Sequence, residues 1–174
     1  MESVVTYVEG KLKLVVNRTK SKCAPLAECE FLGFKISKQG KVKWTSKSMT
    51  RYKQKVKELT RRNRGASAKD VIVELRRYVT GGTNYFGISH TYREVLELDE
   101  WMRRRVRLYY WKQWKRPGPR RRNLLKLGAN PKKVHMATRS RKGYWRMSRN
   151  KIVHRCLNNE WLKEQGVPEM REIW

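Results

Sequence analysis

The residues that could do chemistry in this chain are few, and most of them stand alone. Aspartate occurs only twice, at Asp70 and Asp99. Asp70 reads as a residue at a helix N-terminus, where a carboxylate complements the unpaired amides, and Asp99 as a helix-face residue. No paired carboxylates stand beside a strand turn, so local sequence cannot assemble a two-metal phosphoryl-transfer centre. The three histidines, His90, His135 and His154, have no partners at catalytic spacing. Cys23, Cys29 and Cys156 do not combine with them in a zinc-binding pattern. They are odd in number and widely spaced, which suits a reducing cytosol better than a disulfide framework. There is no Gly-rich phosphate loop and no nucleophile elbow. By itself the chain reads as non-catalytic, with no cofactor and no metal.

Binding is the chemistry that the sequence does offer. Residues 101–155 hold twenty Lys and Arg, seven aromatics and no Asp or Glu. Soluble surfaces normally intersperse the two signs, because an unrelieved field of one sign repels itself. A run without compensation therefore implies a polyanionic partner. The chain's net charge is +28, and residues 101–155 carry +20 of it. Such asymmetry points to nucleic acid in preference to a generally solvated basic protein. Arginine pairs with phosphate through two parallel hydrogen bonds. Tyr144 and Trp145, flanked by Arg141, Lys142 and Arg146, can stack on an unpaired base while the cations hold the backbone. They can equally anchor the C-terminal segment on the rest of the fold. Trp111 and Trp114, beside Lys112 and Lys115, pose the same choice, with packing favoured. No apolar run approaches the ~20 residues of a membrane span. The N-terminus, with Glu2 and Glu9, lacks the order of a signal peptide.

The elements that must position this surface follow from apolar spacing. Residues 1–12 read as a helix on Val4, Val5, Val8 and Leu12. A polar run, Asn17 to Lys22, and Pro25 follow it. Glu30 to Ile36 reads as a strand, Gln39-Gly40 as a turn, and Lys41 to Trp44 as the returning strand. A lone hairpin is marginal, so this part must lean on something else. Ser46 or Ser48 can cap the next helix, whose stripe is Met49, Tyr52, Val56 and Leu59. Arg51, Lys53, Lys55, Lys57, Arg61 and Arg62 fall off that stripe, and Gly65 ends the helix. Ser67 to Asp70 is a loose capping signal for a second helix built on Val71, Ile72, Leu75, Tyr78 and Val79. Gly81-Gly82 is expected to break or bend it. The longest helix should run from about Tyr92 to Trp114 on Val95, Leu98, Met102, Val106 and Tyr109, with Arg103, Arg104, Arg105 and Arg107 around the rest. Pro117-Gly118-Pro119 stops it. Beyond lie short helix candidates at 120–128, 130–134, 152–157 and 160–164, with residues 140–148 as a loop or tight turn. The expected fold class is mainly α: a three-helix bundle with an N-terminal α/β-hairpin part and a basic C-terminal extension of short helices.

These stretches resemble a known family. Phe31-Leu32-Gly33-Phe34, Gly82 to Phe86, Leu98 to Arg105, Trp111 to Arg116 and Ser140 to Arg146 are similar, in order, to the C-terminal part of a bacterial group II intron reverse transcriptase/maturase. The resemblance implies that residues 1–45 are the end of the reverse-transcriptase palm, with Phe31, Leu32, Gly33 and Phe34 in the primer-grip region. It implies that 46–116 form the three-helix thumb, or domain X, and that 117–174 form the basic continuation of the maturase-specific domain. The implied partners are group II intron RNA, RNA/DNA template-primer and, if the enzyme is split, a separate fingers-palm chain. The expected contacts are Arg103, Arg104, Arg107, Lys112, Lys115, Arg116, Arg120, Arg121, Arg122, Arg139, Arg141, Lys142, Tyr144, Trp145 and Arg146. The family's Tyr-x-Asp-Asp motif, which carries the metal-binding aspartates, is absent, so Mg is expected only with the rest of the palm. The chain is accordingly expected to be a fragment: a degraded element, half of a split gene or an excised domain. A bacterial cytoplasmic setting, nucleoid- or RNP-associated, goes with that reading.

Overall fold

The computed structural model describes every residue of the chain except Lys22 and Arg62. The expected places of those two, in the polar run and off the Met49–Tyr52–Val56–Leu59 stripe, lie outside the described residues. The fold is mostly helical with one small antiparallel sheet, in the order α1 (Glu2–Gly10), a single 3-10 turn (Leu26–Glu28), β1 (Glu30–Phe31), β2 (Phe34–Ile36), β3 (Val42–Trp44), α2 (Ser46–Leu59), α3 (Ala68–Phe86) and α4 (Tyr92–Gln113). Six shorter helices follow among the described residues: α5 (Pro117–Lys126), α6 (Pro131–Thr138), α7 (Tyr144–Met147), α8 (Lys151–Cys156), α9 (Asn159–Glu164) and α10 (Met170–Ile173).

The expected strand from Glu30 to Ile36 is in fact a hairpin. Leu32 (φ +50°) and Gly33 (φ +82°) turn the chain in two residues, so Phe31 pairs with Phe34. Positive φ at both central positions gives the twist that suits a two-residue hairpin, and Gly takes it without strain. Alternation of apolar residues did not reveal this, because a two-residue turn barely interrupts it. The second hairpin turns at Gly40 and registers Phe34 with Trp44. The sheet leans on α2 and α3 through aromatic rings. Trp44 is buried with its ring centroid 4.0 Å from that of Phe86 and 5.6 Å from that of Tyr52.

The cap of α2 is Thr45, not Ser46 or Ser48 as expected, and its Oγ1 accepts from the Ser48 amide at 3.1 Å. Ser67 caps α3 as expected, accepting from the Asp70 amide at 3.2 Å. Gly81-Gly82 does not break α3, which continues to Phe86. The second glycine serves packing instead: a Cβ on Gly82 would come within 2.7 Å of Tyr52 Cε2. Absence of a side chain there lets α2 and α3 approach closely at Tyr52. α4 supplies the spine, burying Val95, Leu98, Met102 and Val106 as expected. Pro117-Gly118-Pro119 does end α4, but the same residues begin α5, where a proline in the first turn loses no hydrogen bond. Residues 144–147 form one helical turn where a loop or tight turn is expected.

The C-terminal strap is invisible to apolar spacing. Val167, Pro168, Glu169 and Met170 are buried against α3 and α4, and the Trp174 ring lies 6.1 Å from that of Trp44. The Met170 amide donates to Asp99 Oδ1 at 3.1 Å, and Arg103 pairs with Glu169 at 2.9 Å and with Asp99. Thus one core runs continuously from Trp44 to Met170. At the other end, α1 contributes no buried residue. Its Val4, Val5 and Val8 line an open groove of about 870 Å³ with Val16, Cys23 and Cys29.

Candidate nucleic-acid interface

The basic field is positioned by short helices whose starts are written in the sequence. Asn130 caps α6, Asn150 caps α8 and Asn158 caps α9, each side-chain oxygen accepting from an amide of the first turn. Each helix pins itself with one or two apolar residues: Leu124 on α5, Val134 and Ala137 on α6, Met147 on α7, Val153 and Cys156 on α8. Because the apolar side chains point inward, the remaining positions put cations on the outside. Lys115, Arg116, Arg121, Arg122, Arg139, Arg141, Lys142 and Arg146 are exposed, as are Lys126, Lys132, Lys133, Arg149, Lys151 and Arg155. Lys112 is half-buried.

Four expected contacts have other surroundings. Arg103 and Arg107 are 4% and 3% exposed, so neither side chain is on the surface. Arg103 is held between Asp99 and Glu169. Arg107 donates from Nε to the Leu157 carbonyl at 2.7 Å and from Nη2 to Asn159 Oδ1 at 2.8 Å. Burial beside Arg103 lowers its pKa to about 10. Arg120 is buried with its guanidinium 4.6 Å from the Trp111 ring centroid and 5.5 Å from that of Tyr144. Arg104 lies with its guanidinium carbon 3.6 Å from the Trp145 ring centroid and donates to the Trp145 carbonyl at 3.0 Å. Cation–π stacking of this kind is worth about 0.5–2 kcal/mol, more when desolvated. Arg105 is half-buried, donating to Thr60 Oγ1 at 3.0 Å and joining the end of α2 to α4.

The two rings of the Tyr144-Trp145 turn therefore have different surroundings. Tyr144 is half-buried, packed against the core and over Arg120. Trp145 is 38% exposed, with Arg104 on its ring. Trp111 is buried at 1% exposure and Trp114 is packed at its side, as the packing reading of that pair expects. Of the primer-grip-like residues, Phe31 and Leu32 are exposed at the hairpin tip. Phe34 turns inward onto Phe86, and the Leu32 carbonyl accepts from the Tyr85 hydroxyl at 2.9 Å.

Within residues 101–155, Arg103 is the only one among the described residues that is ion-paired to a carboxylate of the chain. The exposed cations thus carry charge that the fold does not neutralise. No group of His, Cys, Asp and Glu among the described residues could hold a metal ion. No helix among them is long and apolar enough to cross a membrane.

Residues 49–128 match the family described as group II intron, maturase-specific domain. That segment belongs to the family. It takes in the three long helices from Met49 onward together with α5, and it supports the chain's being a C-terminal part of a maturase. The match links residues 49–128 to the maturase-specific domain of group II introns. No curated protein matches the chain. Two features of the site escape sequence reasoning. Buried arginines look the same as surface ones in a run such as Arg103-Arg104-Arg105, and only their helical phase against the strap separates them. Arg149, Lys151 and Arg155 complete the exposed field but carry no motif.

Proposed function

We propose that this chain binds group II intron RNA and helps it reach its splicing-competent fold. The exposed cations of the segment from Lys115 to Arg155 neutralise phosphates where RNA helices pack closely. The observation that carries this reading is a cationic surface, fixed on a folded scaffold, that the chain's own carboxylates leave unpaired. Trp145, partly exposed and already stacked by Arg104, is the side chain best placed to receive an unpaired base. In a longer protein carrying fingers and palm, the α2–α4 bundle would also hold template-primer, with the Phe31–Phe34 tip beside the primer strand.

The test is a salt titration of binding to intron RNA. If about six to eight of the exposed cations engage phosphates, log affinity falls with log salt at a slope of roughly −4 to −7. A slope near zero would refute the reading. Equal affinity for intron and unrelated structured RNA at physiological salt would reduce it to non-specific nucleic-acid binding.

A further inference from the structure

A cleft of about 610 Å³ opens between α4 and the segment running from α7 through α10. Phosphate neutralisation does not account for its lining. Glu97, Glu100, Trp101 and Arg104 stand at i, i+3, i+4 and i+7 on α4 and form one wall. Arg149, His154 and Arg171 belong to the other. The cleft sits where the acidic first half of α4 meets the carboxylate-free field. Asp99, also in the lining, is already spent on Arg103 and the Met170 amide. Glu100 is exposed and has no hydrogen-bond or ion-pair partner among the described residues. Glu97 has only Arg93, at 3.8 Å and with both side chains more than 70% exposed.

A simple anion would meet the glutamates and a simple cation the arginines. A ligand with a hydrogen-donating edge, a flat face and an anionic end fits all three kinds of side chain. That is the chemistry of a nucleotide. An ionised carboxylate only accepts hydrogen bonds. Guanine alone among the four RNA bases offers two adjacent donors, N1–H and the N2 amino group, on its pairing edge. Adenine and cytosine set a ring-nitrogen acceptor beside their amino group, and uracil flanks its N–H with carbonyls.

We infer that this cleft receives an unpaired guanosine of the bound RNA, with Glu100 accepting from its N1–H and N2–H, Trp101 against the base and Arg149 at the phosphate. This rests on the RNA-binding reading above and adds a base preference to it. Trp101 is half-buried, so its ring is held by the core while part of it remains available to a base.

The experiment compares single-stranded oligouridylates carrying one central guanosine, inosine or adenosine, by fluorescence anisotropy with the full chain at fixed salt. Inosine keeps N1–H and loses the N2 amino group. The guanosine oligomer should bind on the order of tenfold tighter than the inosine one, and at least as much tighter than the adenosine one. Glu100→Gln should collapse that preference, because the amide both donates and accepts. Loss of charge alone would instead raise affinity for all three oligomers by one common factor, and that result would overturn the proposal. Equal binding of all three by the unsubstituted chain, with the salt slope intact, would overturn the guanosine site and leave RNA binding standing. Failure of the oligomers and of intron RNA alike to bind would overturn both.

Discussion

Gly81 and Gly82 are neighbours in the middle of α3 and should respond to alanine with opposite signs. Both are helical, so each gains about 0.8–1.0 kcal/mol of helix propensity on substitution. A Cβ on Gly81 meets nothing within 4 Å, and Gly81→Ala should therefore stabilise the fold by about that amount. A Cβ on Gly82 would lie 2.7 Å from Tyr52 Cε2 and 3.4 Å from Cδ2. The Tyr52 ring has little freedom to withdraw. It is 2% exposed, its centroid is 5.2 Å from that of Tyr78, and its hydroxyl lies 3.8 Å from Met170 Sδ. Overpacking of this kind costs about 1–3 kcal/mol, which exceeds the propensity gain over most of its range. Gly82→Ala should therefore destabilise by up to about 2 kcal/mol. Propensity cancels between the two variants, so their difference isolates the helix–helix contact. Urea unfolding followed by circular dichroism measures it through the midpoint, with an unchanged m value showing that the unfolded state is the same. In a thermal melt the two should separate by about 2–4 °C per kcal/mol. Equal shifts within about 0.5 kcal/mol would refute the close approach of α2 and α3 at Tyr52.

Three further outcomes follow from the same geometry. Arg141→Ala with Arg146→Ala should weaken intron RNA binding more than Lys53→Ala with Lys57→Ala, although all four side chains are exposed; equal losses in a filter-binding assay would mean a diffuse charge effect. Arg103→Met should cost about 3–5 kcal/mol of stability, because it leaves Asp99 and Glu169 buried without their shared cation. Its RNA salt slope, measured where the variant is folded, should be unchanged, and a slope shallower by about one would place Arg103 on the RNA. His154 has a lowered pKa, first through desolvation and then through Arg107. The unfolded chain therefore binds a proton that the folded chain has already lost, and stability rises with pH through the window just below 6.5 and is flat above it. His154→Gln should flatten that window in denaturant midpoints taken across pH, and an unchanged profile would assign the dependence to another group.

Legibility in the sequence divided along physical lines. The three long helices and their stripes were readable, because each is set within a few residues by apolar spacing, and four of the shorter helices were placed approximately. So was the unpaired charge of residues 101–155, since composition alone fixes it. Three features were not. The Leu32-Gly33 turn hides inside an apolar run. The glycine pair looks like a helix breaker until Tyr52 is seen against it. The burial of Arg103 and Arg107 depends on Glu169, Leu157 and Asn159, which lie 50 or more residues away.

By itself, then, the sequence determined that the chain carries a long cationic run without carboxylates and resembles a maturase. Tertiary structure alone decided which cations that surface contains. Arg103, Arg104, Arg105 and Arg107 are chemically alike and nearly adjacent, yet an α-helix turns the chain by about 100° per residue, so the first three point in different directions. One direction faces the acidic strap, one the end of α2 and one the Trp145 ring. Charge is a property of composition, but exposure is a property of what the rest of the chain packs against it.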